Sequence, residues 1–197
     1  MGTTHRITKD FHRLARTIKS FSDGQARIVM EGESGAHDSN EEENKFRFEV
    51  DITPSGGPYQ GGTFRFEISV ENEAQWSQEP PIIRCLTDIY HPNIDHLDQD
   101  LVTSNVCVSV LDHGTWSGQC DFETCVQALL FLFYEPNFDD ALSPICCSDE
   151  NFQELVQISL KGGTIDGFGF RPNEGWVKKK NVNNVVKKIT VINENEK

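Results

Sequence analysis

A chain of 197 residues with 37% hydrophobic and 10% aromatic content can bury one sizeable core, which predicts a single domain with a tail rather than two equal domains. Eighteen basic against 31 acidic residues leave a formal charge of −13, a balance that repels phosphate backbones and anionic lipid and argues against nucleic acid or membrane as a partner. No window approaches the roughly 20 apolar residues that span a bilayer, and MGTTHRITKDF has no apolar signal core, so the expected location is the cytoplasm, the nucleus or both.

ITKDFHRLARTIKSF places Ile7, Phe11, Leu14 and Ile18 at spacings of four, three and four, the stripe of an amphipathic helix. Its other face carries Arg6, Lys9, Arg13, Arg16 and Lys19 against Asp10. That face is either simply solvated or, on so acidic a chain, a dock for an acidic partner. Three strand-like runs follow: ARIVME, KFRFEVDI and TFRFEISV. The last two alternate, with Phe46, Phe48, Val50 and Ile52 on one face and Phe64, Phe66, Ile68 and Val70 on the other strand's matching face. The Gly- and Pro-dense TPSGGPYQGG between them predicts a turn. The acidic GESGAHDSNEEEN is read as a loop, and PIIRCLT, introduced by Pro80-Pro81, as a fourth strand.

Beyond Trp116 the period becomes helical. DFETCVQALLFLFYEP starts at Asp121, an N-cap residue, stops at Pro136, and is apolar almost all round, which predicts a buried central helix. SDENFQELVQISLKGG predicts another, capped by Ser148 and ended by Gly162-Gly163. Strands in one run and helices in the next indicate an α+β domain. The last segment, VKKKNVNNVVKKITVINENEK, has no period and is read as tail. Of the six cysteines, only the adjacent Cys146-Cys147 comes close to the paired spacing of a zinc site, and in a reducing compartment buried inert thiols are the ordinary reading. Only Cys107, downstream of a His-Pro-Asn triplet, sits in a context that suggests chemistry.

Taken in order, these landmarks resemble the ubiquitin-conjugating enzymes over roughly residues 6 to 160. The family's Pro-Tyr-x-Gly-Gly-x-Phe is similar to residues 58 to 64, its double proline to Pro80-Pro81, and its Tyr-His-Pro-Asn-Ile to residues 90 to 94. Its Asn-Val-Cys resembles Asn105-Val106-Cys107, its tryptophan Trp116, and its acidic Pro-Asn segment residues 135 to 142. LFYEPNFDD and LKGGTIDGFGF are similar to the enzymes that load the cullin-modifying ubiquitin-like protein. The resemblance implies an N-terminal helix, a four-stranded antiparallel meander, a central buried helix and C-terminal helices, over a conjugating domain of residues 5–170 with an extension at 171–197.

It also implies a reaction. Cys107 would accept ubiquitin or a relative from an activating enzyme as a thioester and pass it to a substrate lysine with a ligase assisting; a thiol suits this as both nucleophile and leaving group. The Asn93 amide would donate to the developing oxyanion, His91 would fix the local turn, and Asp140 would orient the lysine and help shed its proton. No metal or organic cofactor is implied, since ATP is consumed by the activating enzyme. The basic face from Arg6 to Lys19 corresponds to where the family meets that enzyme.

Two departures stand against the pattern. Thirteen residues separate Asn93 from Cys107 where the family has seven, the surplus lying in the polar DHLDQDLVTS, which is expected to bulge outward. The apolar handles for RING ligases fall at polar or small Gln78 and at Ser117-Gly118-Gln119, which predicts a weakened RING surface. A catalytically inactive scaffold with the same fold is the alternative to an enzyme.

Overall fold

The computed structural model describes residues 3–29, 46–71, 76, 78–98, 103–112, 114–146, 148–177 and 179. The acidic loop at 32–44, the tip of the insertion at 99–102, Cys147 and the tail from 180 lie outside the described residues.

Helix α1 (Thr3–Phe21) leads into strands β1 (Ala26–Ile28), β2 (Phe46–Ile52), β3 (Phe64–Val70) and β4 (Ile82–Cys85), one antiparallel sheet in sequence order. The register pairs Phe48 with Ile68, Val50 with Phe66 and Ile52 with Phe64, so the alternating apolar residues of both strands share one face. On that face Phe11 of α1 packs edge-on against Phe46 and Phe48, at ring centroids of 5.4 and 4.9 Å. Helix α2 (Phe122–Tyr134) adds Phe122 at one end and Phe133 at the other, both fully buried; Phe133 meets Tyr59, Phe64 and Phe66. Truncation of so enclosed a ring costs about 3–5 kcal/mol.

The outer face of the sheet is not simply solvated. Glu49 and Asp51 are buried beneath arginines, with Arg65 3.4 Å from Glu49 and 2.9 Å from Asp51, and Arg27 2.6 Å from Asp51. The charged residues that alternate with the apolar ones along β2 and β3 therefore form an ion-paired layer rather than a wet one.

Asp121 caps α2 through a reciprocal capping box with Thr124. The helix is less enclosed than its composition predicted: Phe131 is 57% exposed and Tyr134 42% exposed, because only one broad face meets the sheet. Helix α3 (Phe152–Leu160) begins later than expected: its N-cap is Asn151 in the left-handed region, while the Ser148 hydroxyl accepts only from the Glu150 amide. It ends in a Schellman arrangement, Gly163 N–H to Ile158 O and Gly162 N–H to Ser159 O. Gly162 is required twice over, by its φ of +81° and because a Cβ there would lie 2.5 Å from Pro172.

A two-residue hairpin that periodicity did not reveal, β5 (Thr164–Ile165) and β6 (Phe168–Gly169), follows. Its turn is Asp166-Gly167, both at positive φ, the pair a primed turn demands. Residues 171–177 are tied to the sheet and its approach: Arg171 pairs with Asp88 at 2.8 Å, and the buried Asn173 amide bonds both backbone groups of Thr63 at 2.9 Å.

Candidate active site

The peptide His91-Pro92-Asn93 lies between two segments and holds both. His91 is fully buried; its Nδ1 accepts from the Asn93 amide at 3.0 Å and its Nε2 lies 3.0 Å from the Leu132 carbonyl. The Tyr59 ring stacks on it at 5.4 Å and the Tyr59 hydroxyl donates to the Tyr90 carbonyl at 2.7 Å. Burial pulls the His91 imidazole down to about 4, against the opposing bond to Leu132. With both nitrogens engaged on the backbone and the ring neutral, His91 is a turn-fixing group.

Asn93 is the joint. Its backbone carbonyl accepts from the Cys107 amide at 2.9 Å, continuing an antiparallel bridge between Ile94 and Val106. Its side chain grips the other segment: Oδ1 accepts from the Asn137 amide at 2.8 Å, and Nδ2 donates to the carbonyls of Asn137 at 2.9 Å and Asp140 at 3.3 Å. The Pro92 carbonyl adds bonds from the amides of Leu142 and Ser143, each 2.8 Å. Cys107 and Asp140 are thereby brought to one place despite the long insertion between Asn93 and the thiol. Both N–H bonds of the Asn93 amide are occupied, so a donation to an oxyanion requires release of one, and the longer bond to Asp140 is the weaker.

The insertion rises from this bridge and is sewn to β4. The Asp95 amide bonds the Asn105 carbonyl at 2.9 Å, and the Asn105 side chain closes on Cys85 at 2.7 and 3.3 Å. Buried Arg84 donates to the carbonyls of Asp98 at 2.9 Å and Thr103 at 2.6 Å, one at each end of the segment outside the described residues. An arginine in a strand interior carries no local signal of such a role, and the sequence reading passed over it.

Cys107 is half-buried, whereas Cys85, Cys125 and Cys146 are buried; burial pushes the Cys85 thiol up to about 12. The Cys107 thiol is also raised above its ordinary value, first by desolvation, then by the charge of Asp140, then by that of Asp112. It is not a pre-formed thiolate. Asp112, at the end of the 3-10 turn Ser109–Leu111 after the thiol, was not a sequence candidate; its spacing from Cys107 was the only available sign.

The basic face of α1 divides in two. Arg6 donates to the Gly118 carbonyl at 2.7 Å and pairs with Asp10 at 3.5 Å; Arg13 pairs with Asp10 at 3.3 Å and with Asp121. Asp10 in turn accepts from the Trp76 indole at 2.9 Å. Lys9, Arg16 and Lys19 are exposed and make no ion pair among the described residues. Gln78 and Gly118 are exposed. Among the described residues no helix is long and apolar enough to cross a membrane.

A family model described as ubiquitin-conjugating enzyme matches residues 16–155. The NEDD8-conjugating enzyme UBC12 of Eremothecium gossypii is 39% identical over 121 residues, 59% of this chain and 61% of that one. This chain thus spans about six tenths of that relative's length. A probable NEDD8-conjugating enzyme, Ubc12-like, of Arabidopsis thaliana is 30% identical over 170 residues, 80% of this chain and 87% of the relative. The solved structure of S. cerevisiae Ubc12 superposes with a TM-score of 0.66 at 27% identity, covering 87% of this chain and 86% of the other.

Proposed function

The chain belongs to the ubiquitin-conjugating enzyme family, and we propose that it carries a ubiquitin-like modifier as a thioester on Cys107 and delivers it to a lysine amine. One observation carries this reading: the Asn93 carbonyl and side chain hold the half-buried thiol and the Asp140 loop together across an insertion that would otherwise part them. The cargo we favour is NEDD8, the modifier named in the relatives' descriptions; ubiquitin is the second reading, in line with the family description.

Loading begins as Cys107 gives up its proton and Sγ attacks the carbonyl of the modifier's existing thioester; the activating enzyme's thiolate leaves. In the second step a lysine Nζ attacks the new thioester, the C–S bond breaks, Cys107 departs as thiolate and an isopeptide forms. Asp140 receives or guides the ammonium proton. Asn93 acts chiefly by positioning that loop and serves as oxyanion donor only when its bond to Asp140 yields. His91 supports the turn. No metal or cofactor takes part in these steps, the energy of ATP having entered upstream.

Partners follow from charge and exposure. Lys9, Arg16 and Lys19 offer the free part of the α1 face to an acidic activating enzyme, while Arg6 and Arg13 support the fold. Polar Gln78 and Gly118 leave little apolar anchor for a RING ligase, so such partners bind weakly. We place the protein in the cytoplasm or nucleus. An inactive scaffold is the remaining alternative, favoured by the fully occupied Asn93 amide.

The test is a charging reaction with activating enzyme, ATP and either NEDD8 or ubiquitin, resolved with and without reductant. A reductant-sensitive adduct is expected with NEDD8, absent in Cys107→Ala and kept in Cys85→Ala and Cys120→Ala. Failure to load either modifier, under conditions that charge a control enzyme, leaves only the scaffold.

A further inference from the structure

A groove of about 620 Å³ is lined by both chain neighbours of Cys107, Val106 and Val108. Trp76 and Ile82 form its far side, and Leu111 extends its floor; Glu79 and Asp112 line it from exposed positions. Part of its near wall is the insertion stem, Thr103 and Ser104, which is held in place by the Arg84 bond to the Thr103 carbonyl and by the Ile83 amide on the Ser104 hydroxyl at 2.9 Å. Residues of the stem that carries the extra spacing thus build a surface adjoining the Cys107 segment.

The chemistry of that surface selects its occupant. An apolar floor under an acidic rim, on a chain of formal charge −13, is complementary to a polypeptide that carries an apolar side chain beside a basic one. The macromolecule that must approach Cys107 after loading is the one that supplies the lysine. We infer that the groove receives the acceptor polypeptide, seating an apolar side chain between Ile82 and Leu111 and a lysine or arginine at Asp112, so that a lysine a few residues away reaches the thioester. The charge of Asp112 is felt at Cys107, which places the two within one electrostatic neighbourhood. The inference rests on the proposed reaction, since only a transfer to protein lysine requires an acceptor there.

The experiment separates the two claims. Uncharged full-length protein, isotopically labelled, is titrated with a synthetic peptide in which leucine and arginine precede a single lysine, and with a control in which they are glycine and glutamate. Resonance shifts at Val108, Leu111 and Ile82 are expected with the first peptide only, and Ile82→Arg or Glu79→Arg should weaken binding roughly fivefold or more. Glu79 is exposed, so its variant keeps the test open if Ile82→Arg fails to fold. On the charged enzyme, the same variants should slow transfer to the peptide and leave transfer to free lysine unchanged. Equal binding of both peptides, shifts confined to other surfaces, or the same shifts appearing with protein concentration alone, as a second copy would cause, each overturns the inference. Absence of charging would sink the reaction while leaving the peptide titration to speak for the groove.

Discussion

Cys107 stands between two opposed requirements. Asp140 and Asp112 both oppose its ionisation, adding to the effect of burial, yet the same negative field attracts an incoming ammonium. A thiol held mostly protonated is slow toward adventitious electrophiles and oxidants, because the thiolate is the reactive form. Once acylated, the sulfur bears no charge for the carboxylates to oppose, and they are left to act on the lysine. Asp140→Asn should therefore lower the Cys107 pKa, and Asp112→Asn should do so by less; iodoacetamide alkylation of Cys107, followed against pH, should show the rate profile moving to lower pH in that order. An unmoved profile in both variants would remove the carboxylates from the account. The sequence made Cys107, His91, Asn93 and Asp140 visible because they stand in a recognisable order, but not the Asn93 bonds to Asn137 and Asp140, which join residues more than 40 apart.

At the scale of elements, the described stem of the insertion is fastened to β4. Arg84 bonds a carbonyl at each end of it, and a buried guanidinium with engaged donors is costly to remove because the carbonyls lose their partners as well. Arg84→Met should lower stability by about 2 kcal/mol or more, and amide exchange should quicken at residues 95–98 and 103–106 in particular; uniform quickening would mean that the arginine serves the sheet alone. The periodicity of α1, β2 and β3 was legible because each turns one apolar face to the core, whereas α2 was legible by its capping Asp121 and its stop at Pro136, and its exposed side, Phe131 and Tyr134, was not. The start of α3 was not, since Ser148 offers the chemistry of a cap without the backbone position. The β5–β6 hairpin carried a readable Asp-Gly pair but strands too short to show alternation. Arg84 had no local sign, because its partners lie 14 and 19 residues away in the sequence.

For the molecule as a whole, the buried tripeptide turn couples the site to folding. His91 is neutral in the fold down to about pH 4, whereas in the unfolded chain it takes up a proton near its ordinary value of about 6.5. Stability from this group is thus complete above about pH 6.5 and falls as the pH drops toward 4, by up to about 3 kcal/mol in all. Urea unfolding of wild type and His91→Gln at pH 7.5 and 4.5 measures this: the wild type should lose more stability between the two pH values than the variant, and equal losses would show that His91 is not the titrating group. The order of the described elements was legible, while the tie between Asn173 and Thr63 across 110 residues was not, since no local pattern announces it.

The double engagement of Arg13, on Asp10 and on the residue that caps α2, bears on how recognition by this protein is mapped. A charge-reversal survey of the first helix would read two quantities under one label. Losses at Lys9, Arg16 and Lys19 would report an encounter with another molecule, whereas losses at Arg6 and Arg13 would report a loosened joint between two helices, and only a parallel melting curve tells the two apart.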